Sequence, residues 1–278
     1  MLKQRVITAL IVAALLLLAI FFLPYFYFAF FISLIVLAAA WEWARLAGNH
    51  TLGTVVYTAL VGLLIAANLW WLDVFGVGRT FAFDKMVIVC GVASLWWLSV
   101  IYWVAVYPTN KLWAHKALIN LIGVVVLVST GVGLVFLRGE AHGDWLLVIM
   151  IIAVVCADTG AYFVGRKYGK RKLAPRVSPG KSWEGFYGGL LTSVMFALVL
   201  IIGLGFEASN WWLVLILVAT SVMSVYGDLM ESLLKRERGV KDSGSILPGH
   251  GGVLDRTDSI TAAVPIFTLV YLLSGWRL

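Results

Sequence analysis

Nine stretches of this 278-residue chain stay apolar for about the 20 residues that a helix needs to cross a bilayer core. They lie at 6–23, 25–41, 52–72, 86–107, 117–137, 144–165, 185–206, 211–233 and 260–275. Hydrocarbon offers no partner to a free N–H or C=O, so runs of this length are restricted to helices that satisfy their own backbone. Pro24 sets the first two runs one residue apart, and the pattern admits eight to ten spans. Two basic residues precede the first run, but no small-residue cleavage site follows it, so it reads as a retained span and not a signal peptide. The expectation is an all-α polytopic integral membrane protein of about nine transmembrane helices. Composition agrees: 62% of residues are hydrophobic and 13% charged, against about 45–50% and about 25% in soluble domains.

Basic residues near helix ends are retained on the cytoplasmic side. With a cytoplasmic N-terminus, the outer loops hold Arg79, Lys85, Arg138 and Arg277, and the other 17 of the 21 basic residues fall inside. That places the N-terminus in the cytoplasm and the C-terminus outside. The net charge of +7 then gathers on one face, where anionic headgroups and nucleotides are met. No soluble basic domain exists to dock a nucleic acid. Cys90 and Cys156 lie inside spans without a CxxC or Cys/His cluster, which excludes a disulfide framework and structural zinc.

The chain divides at about residue 143. Residues 1–143 carry about five spans with no acidic residue in their apolar interiors, and read as a scaffold and candidate dimer surface. Their tryptophan pairs, Trp70 with Trp71 and Trp96 with Trp97, match interfacial belts, while His50, His115 and His142 fall in short solvated loops. Residues 144–278 form the candidate catalytic region, with polar loops at 166–184 and 235–258. Here Asp158, Asp228 and Glu231 enter the apolar runs themselves. A charged carboxylate at a span's centre costs about 3 kcal/mol on insertion scales, so each is a functional candidate unless a structural partner neutralises it. Asp228, Ser232 and Lys235 follow at i, i+4 and i+7, along one helix stripe.

The loop RKYGKRKLAPRVSPGKSWE, residues 166–184, joins seven basic residues to an SPGKS segment. Pro179 and Gly180 there predict a turn whose free N–H groups, beside Lys181, suit an anion. It is not a P-loop, because Pro175 stands where that motif needs glycine. The stretch KDSGSILPGHGGVLDRTDS, 241–259, gathers the groups that phosphate chemistry on an anionic substrate uses. Asp228, Asp242, Asp255 and Asp258 supply oxygens of the kind magnesium prefers. His250-Gly251-Gly252 leaves backbone bare for a polyphosphate. Lys235, Arg236, Lys241 and Arg256 add positive charge. Asp255 and Asp258 stand three apart ahead of the last span, where either also suits a helix cap.

These residues carry a resemblance. Ser232-x-Leu234-Lys235-Arg236-x4-Lys241-Asp242-x-Gly244-x2-Leu247-Pro248-x-His250-Gly251-Gly252-Val253-x-Asp255-Arg256-x-Asp258 is similar, over 27 consecutive positions, to the signature of the phosphatidate cytidylyltransferases, or CDP-diacylglycerol synthases. Asp158-Thr159-Gly160-Ala161-Tyr162, Gly165-Arg166, Gly169-Lys170 and Ser178-Pro179-x-Lys181-Ser182-x-Glu184-Gly185 resemble the family's other cytoplasmic-side motif. The likeness is specific over about residues 150–275; the first half matches only in being polytopic and apolar.

The resemblance implies an enzyme that condenses CTP with phosphatidic acid to CDP-diacylglycerol and pyrophosphate, working with one or more magnesium ions and room for a monovalent cation. The residues alone do not select cytidine. Under this reading Asp228, Asp255, Lys235 and Arg256 are catalytic. Ser178, Lys181, Ser182, Glu184, Ser232, Arg236, Lys241, Asp242, His250, Gly251 and Gly252 bind substrate, and Asp228, Asp255, Asp158 and Asp258 ligate metal. Similar enzymes imply a homodimer, and the single polytopic unit without targeting extensions suggests a bacterial inner membrane with its site facing the cytoplasm. One alternative is an ion- or proton-coupled transporter using Asp158 and Asp228, which leaves the glycine-histidine loop unexplained. A CDP-alcohol phosphotransferase is disfavoured because its DG-x2-AR-x8-G-x3-D-x3-D pattern is absent, and a non-catalytic lipid binder has no use for several carboxylates beside a basic cluster.

Overall fold

The computed structural model describes residues 2–75, 83–109, 113, 115–205, 207–249 and 251–278. Among these, nine α-helices follow in order: α1 (Leu2–Phe22), α2 (Tyr25–Leu46), α3 (Thr51–Trp71), α4 (Phe83–Val106), α5 (Lys116–Gly139), α6 (Gly143–Tyr168), α7 (Trp183–Leu204), α8 (Trp212–Arg238) and α9 (Leu254–Ser274). Two short strands, β1 (Lys172–Ala174) and β2 (Ser178–Ser182), lie between α6 and α7. Eight helices, α2 to α9, are long and apolar enough to cross a membrane, and α1 adds a shorter apolar stretch, Ile7–Phe22. The protein is thus an all-α polytopic membrane protein.

Several helices outrun their apolar stretches. α8 continues through Lys235, Arg236 and Arg238, and α9 starts at Leu254, six residues before its apolar run. A helix that leaves the hydrocarbon loses no backbone hydrogen bond, so polar residues at its ends do not stop it. The loop expected at 235–258 therefore shrinks to the residues between Arg238 and Leu254. α2 likewise runs past residue 41 to Leu46, which puts Glu42 inside a helix of the first half, against the expectation of acid-free spans there.

The chain forms two compact units. The first comprises Met1–Lys85, Lys111–Leu147 and Leu234–Asp258; the second comprises Met86–Asn110, Val148–Leu233 and Ser259–Leu278. In the first unit α2, α3 and α5 pack on one another. Trp43 Nε1 donates to the Ile119 carbonyl at 2.9 Å, and Tyr57 Oη donates to that of Asn120 at 3.1 Å. Gly123 makes this approach possible, because a Cβ there would lie 2.1 Å from Trp43 Nε1. Arg138 Nε donates to the Ile20 carbonyl at 2.8 Å, anchoring the end of α1.

In the second unit α6 and α7 meet through small residues, as apolar surroundings demand when close van der Waals packing drives association. A Cβ on Gly185 would lie 2.8 Å from the Ala161 carbonyl oxygen, and one on Gly189 would lie 2.6 Å from that of Ala157. Hydroxyls add interhelical links: Thr192 Oγ1 donates to the Cys156 carbonyl at 2.8 Å, and Ser193 and Ser221 share a buried 2.6 Å hydrogen bond between α7 and α8. Trp97 is 1% exposed in the middle of α4 and belongs to this interior, not to an interfacial belt.

Candidate active site

The hairpin β1–β2 seats the SPGKS segment. Its strands are antiparallel, with Lys172 opposite Ser182 and Ala174 opposite Ser178, so three residues of β2 face one of β1. That irregularity falls on Pro179-Gly180-Lys181. Proline has no N–H for the ladder and glycine packs nothing, which makes the pair a bulge inside the strand. The turn expected at Pro179 and Gly180 is instead at residues 175–177, where Val177 N–H donates to the Ala174 carbonyl at 3.2 Å. Ser182 then caps α7, its Oγ accepting from Gly185 N–H at 3.2 Å. Glu184 accepts from the backbone N–H groups of Lys170 (3.0 Å) and Arg171 (3.2 Å). Its carboxylate thus ties the end of α6 to the hairpin.

Between these elements lies a cavity of about 490 Å³ in the second unit, lined by Asp158, Tyr162, Gly165, Arg166, Ser178, Gly180, Lys181, Ser182, Phe186 and Asp228 among others. Lys181 Nζ sits 2.7 Å from Asp228 Oδ2 and donates to the Val225 carbonyl at 3.4 Å. Asp158 is near enough to interact electrostatically with both Lys181 and Asp228. Asp228 Oδ1 also accepts from Ser232 Oγ at 3.2 Å, one helical turn on, as the i, i+4 spacing requires. At the rim Arg166 Nη1 donates to Tyr162 Oη at 3.0 Å. Two carboxylates, one ammonium, one guanidinium and three hydroxyls therefore line one cavity whose other walls are mainly apolar. A Cβ at Gly180 would meet no atom within 4 Å, so the bulge leaves open space there.

The signature segment is built in the first unit. Lys235 Nζ donates to Asp255 Oδ1 at 2.8 Å, while Asp255 Oδ2 accepts from the N–H groups of Ser243 (2.9 Å) and Gly252 (2.8 Å). Asp255 thus combines an ion pair with a reach back to the backbone ahead of α9. Leu247 and Gly251 bridge across the loop, and Gly251 takes φ +81°, a left-handed conformation that glycine tolerates. Arg236, Lys241, Asp242 and Arg256 are exposed, Asp258 is half-buried one turn into α9, and His250 lies outside the described residues.

Glu42 also belongs to this segment's surroundings, although no sequence motif marks it. It is 1% exposed; Oε1 accepts from Val253 N–H at 3.1 Å, and Oε2 accepts from Leu254 N–H at 2.8 Å and Ser243 Oγ at 3.0 Å. This also changes the role of the glycines. A Cβ on Gly252 would lie 2.2 Å from Glu42 Oε2, and one on Gly244 would lie 2.3 Å from Oε1. Gly252 makes room for Glu42, whatever else approaches that backbone, and a valine there would disturb the loop itself. A single glutamate ending an apolar run, 200 residues away in sequence, gives no periodic or motif signal.

Among the described residues, no three His, Cys, Asp or Glu side chains converge as a ready-made metal cage. The Asp158 and Asp228 oxygens in the cavity nonetheless fit magnesium, which is usually held by one or two carboxylates with phosphates and water completing its octahedron.

The cytidylyltransferase family model matches residues 3–274. The chain belongs to this family. A phosphatidate cytidylyltransferase of Pseudomonas aeruginosa is 42% identical over 278 residues, covering 99% of each chain. That of Haemophilus influenzae is 40% identical over 292 residues, 98% of this chain and 99% of the relative. That of Staphylococcus saprophyticus is 43% identical over 147 residues, 52% and 56% respectively. The protein is accordingly a nucleotidyltransferase set in a membrane of polytopic helices, and the resemblance read from residues 150–275 extends across both halves.

Proposed function

We propose that this cytidylyltransferase condenses CTP with phosphatidic acid, giving CDP-diacylglycerol and pyrophosphate, at the cytoplasmic face of a bacterial inner membrane. The observation that carries this is the Lys181–Asp228 pair beside Asp158 in one cavity of a membrane-embedded unit. A transfer between two anions, one of them anchored in lipid, needs fixed positive charge and metal-binding oxygens at the edge of the apolar region. The relatives that cover both full chains carry the name of this activity, and the division of 17 basic residues against 4 supports the cytoplasmic face.

In the reaction an oxygen of the lipid phosphate attacks the α-phosphorus of CTP. A new P–O bond forms, the bond from the α-phosphorus to the β-phosphate oxygen breaks, and pyrophosphate leaves with that electron pair. The attacking oxygen is already anionic, so the protein supplies neither nucleophile nor base. Lys181 holds Asp228 in place and presents positive charge to the phosphates. Asp158 and Asp228 would hold magnesium, which neutralises charge on the phosphates as they react. Ser178 and Ser182 offer hydroxyls to the nucleotide, and Gly180 leaves it space. The signature segment forms a second polar seat in its own unit, with Lys235, Arg236, Lys241 and Arg256 as cations and Asp255 and Asp258 as oxygens for a further ion.

The test follows radiolabelled CTP into a chloroform-soluble product made by purified protein with phosphatidic acid and magnesium. Asp228→Asn should lose about 10²–10³-fold in kcat, the scale of removing one electrostatic contributor from a transition state. Full turnover by this variant would remove Asp228 from the site, and no labelled lipid from the wild type would overturn the assignment.

A further inference from the structure

Resting on that reading, we infer that Glu42, contributed by a helix of the N-terminal half, is the positioning residue of the signature segment. Burying a carboxylate is costly unless hydrogen bonds replace its hydration. Glu42 is 1% exposed, and the donors that compensate it come from the segment it supports: Ser243 Oγ and the N–H groups of Val253 and Leu254. Those two N–H groups lead into α9, where a helix leaves its first donors without internal partners. Glu42 therefore closes the start of α9 from outside the helix.

The contacts converge on Asp255 by a short path. Ser243 gives its hydroxyl to Glu42 and its backbone N–H to Asp255, and Gly252, packed against Glu42, gives its N–H to the same Asp255 oxygen. Lys235 completes the Asp255 carboxylate at 2.8 Å. The same stretch of α2 holds the other end of the loop: Arg238, the last residue of α8, donates through Nη2 to the Ala47 carbonyl at 2.6 Å and through Nε to that of Leu46. The C-terminal end of α2 thus grips the segment where it leaves α8 and where it enters α9. Glu42 acts through others: it fixes the Asp255 carboxylate and the Lys235 cation of the second polar seat.

Glu42→Gln separates this role from one in stability. The amide keeps one oxygen, but in either orientation its NH2 faces the N–H of Val253 or of Leu254, donor against donor. In purified full-length protein kcat should fall about 100-fold, the scale on which misplaced groups lose rate, with the KM values for CTP and phosphatidic acid little changed, as expected when a transition-state contact is lost. Ser243→Ala should lose about tenfold, in keeping with one hydrogen bond. Because it acts through Glu42, the double variant should be no slower than Glu42→Gln alone. Without nucleotide or metal, the amides of residues 252–256 should exchange hydrogen faster in Glu42→Gln. An unchanged kcat per folded molecule, or multiplying losses in the double variant, overturns the inference. If Glu42→Gln does not fold, Ser243→Ala decides, and wild-type turnover by it counts against the proposal. Wild-type protein that makes no labelled lipid would instead refute the assigned reaction.

Discussion

Replacing Lys181 by methionine separates what the cavity's charges do for stability from what they do for chemistry. Lys181 and Asp228 are 2.7 Å apart, and their side chains remain 24% and 35% exposed. Exposed pairs contribute about 0.2–1 kcal/mol, whereas removing one partner of a fully buried pair costs about 3–5 kcal/mol. This pair lies between those limits, and solvent screening at such exposure places the loss at about 1–3 kcal/mol. The methionine keeps the apolar stem, so the loss comes from Asp228, left near Asp158 without its cation. Catalysis should lose about 10²–10³-fold in kcat/KM, equivalent to about 2.7–4 kcal/mol. The double variant Lys181→Met with Asp228→Asn removes both charges, so its stability should return close to wild type while its turnover stays low. Thermal unfolding followed by tryptophan fluorescence, paired with the labelled-lipid assay on the same preparations, reads both quantities. A double variant as unstable as Lys181→Met, or one that regains turnover, would refute the electrostatic account.

Gly180→Val places a β-favouring side chain where a Cβ meets no atom within 4 Å, so the melting temperature should hold while the KM for CTP rises; an unchanged KM would move the nucleotide out of this cavity. Gly123→Ala puts a methyl 2.1 Å from Trp43 Nε1 and 2.3 Å from Tyr57 Oη, and should cost about 1–3 kcal/mol through overpacking, read as a lowered melting temperature.

The membrane architecture was legible because each span announces itself locally: a helix in hydrocarbon must be apolar over its own length, whatever it packs against. The stripe of Asp228 and Ser232 was legible for a similar reason, since neighbours at i, i+4 are fixed by helix geometry alone. The SPGKS segment breaks regular structure as its Pro-Gly pair predicts, but as a bulge and not as a turn. Proline and glycine mark a break in regular pairing, and only the partner strand decides whether that break is a turn or a bulge. Trp97 shows the same limit, since its place along α4 allowed an interfacial anchor and packing made it interior.

Glu42 and Gly252 lie furthest from what sequence could show. The HGG run suggested backbone bared for a ligand, yet the space beside Gly252 is filled by a carboxylate from α2. The sequence by itself determined the spans and the neighbours along each helix face, because hydropathy and helical spacing act within a window of one element. The tertiary structure alone decided which carboxylate meets Lys181, which holds Lys235, and which braces the loop, because a buried charge takes whatever donor the folded chain brings within about 3 Å, however distant in sequence.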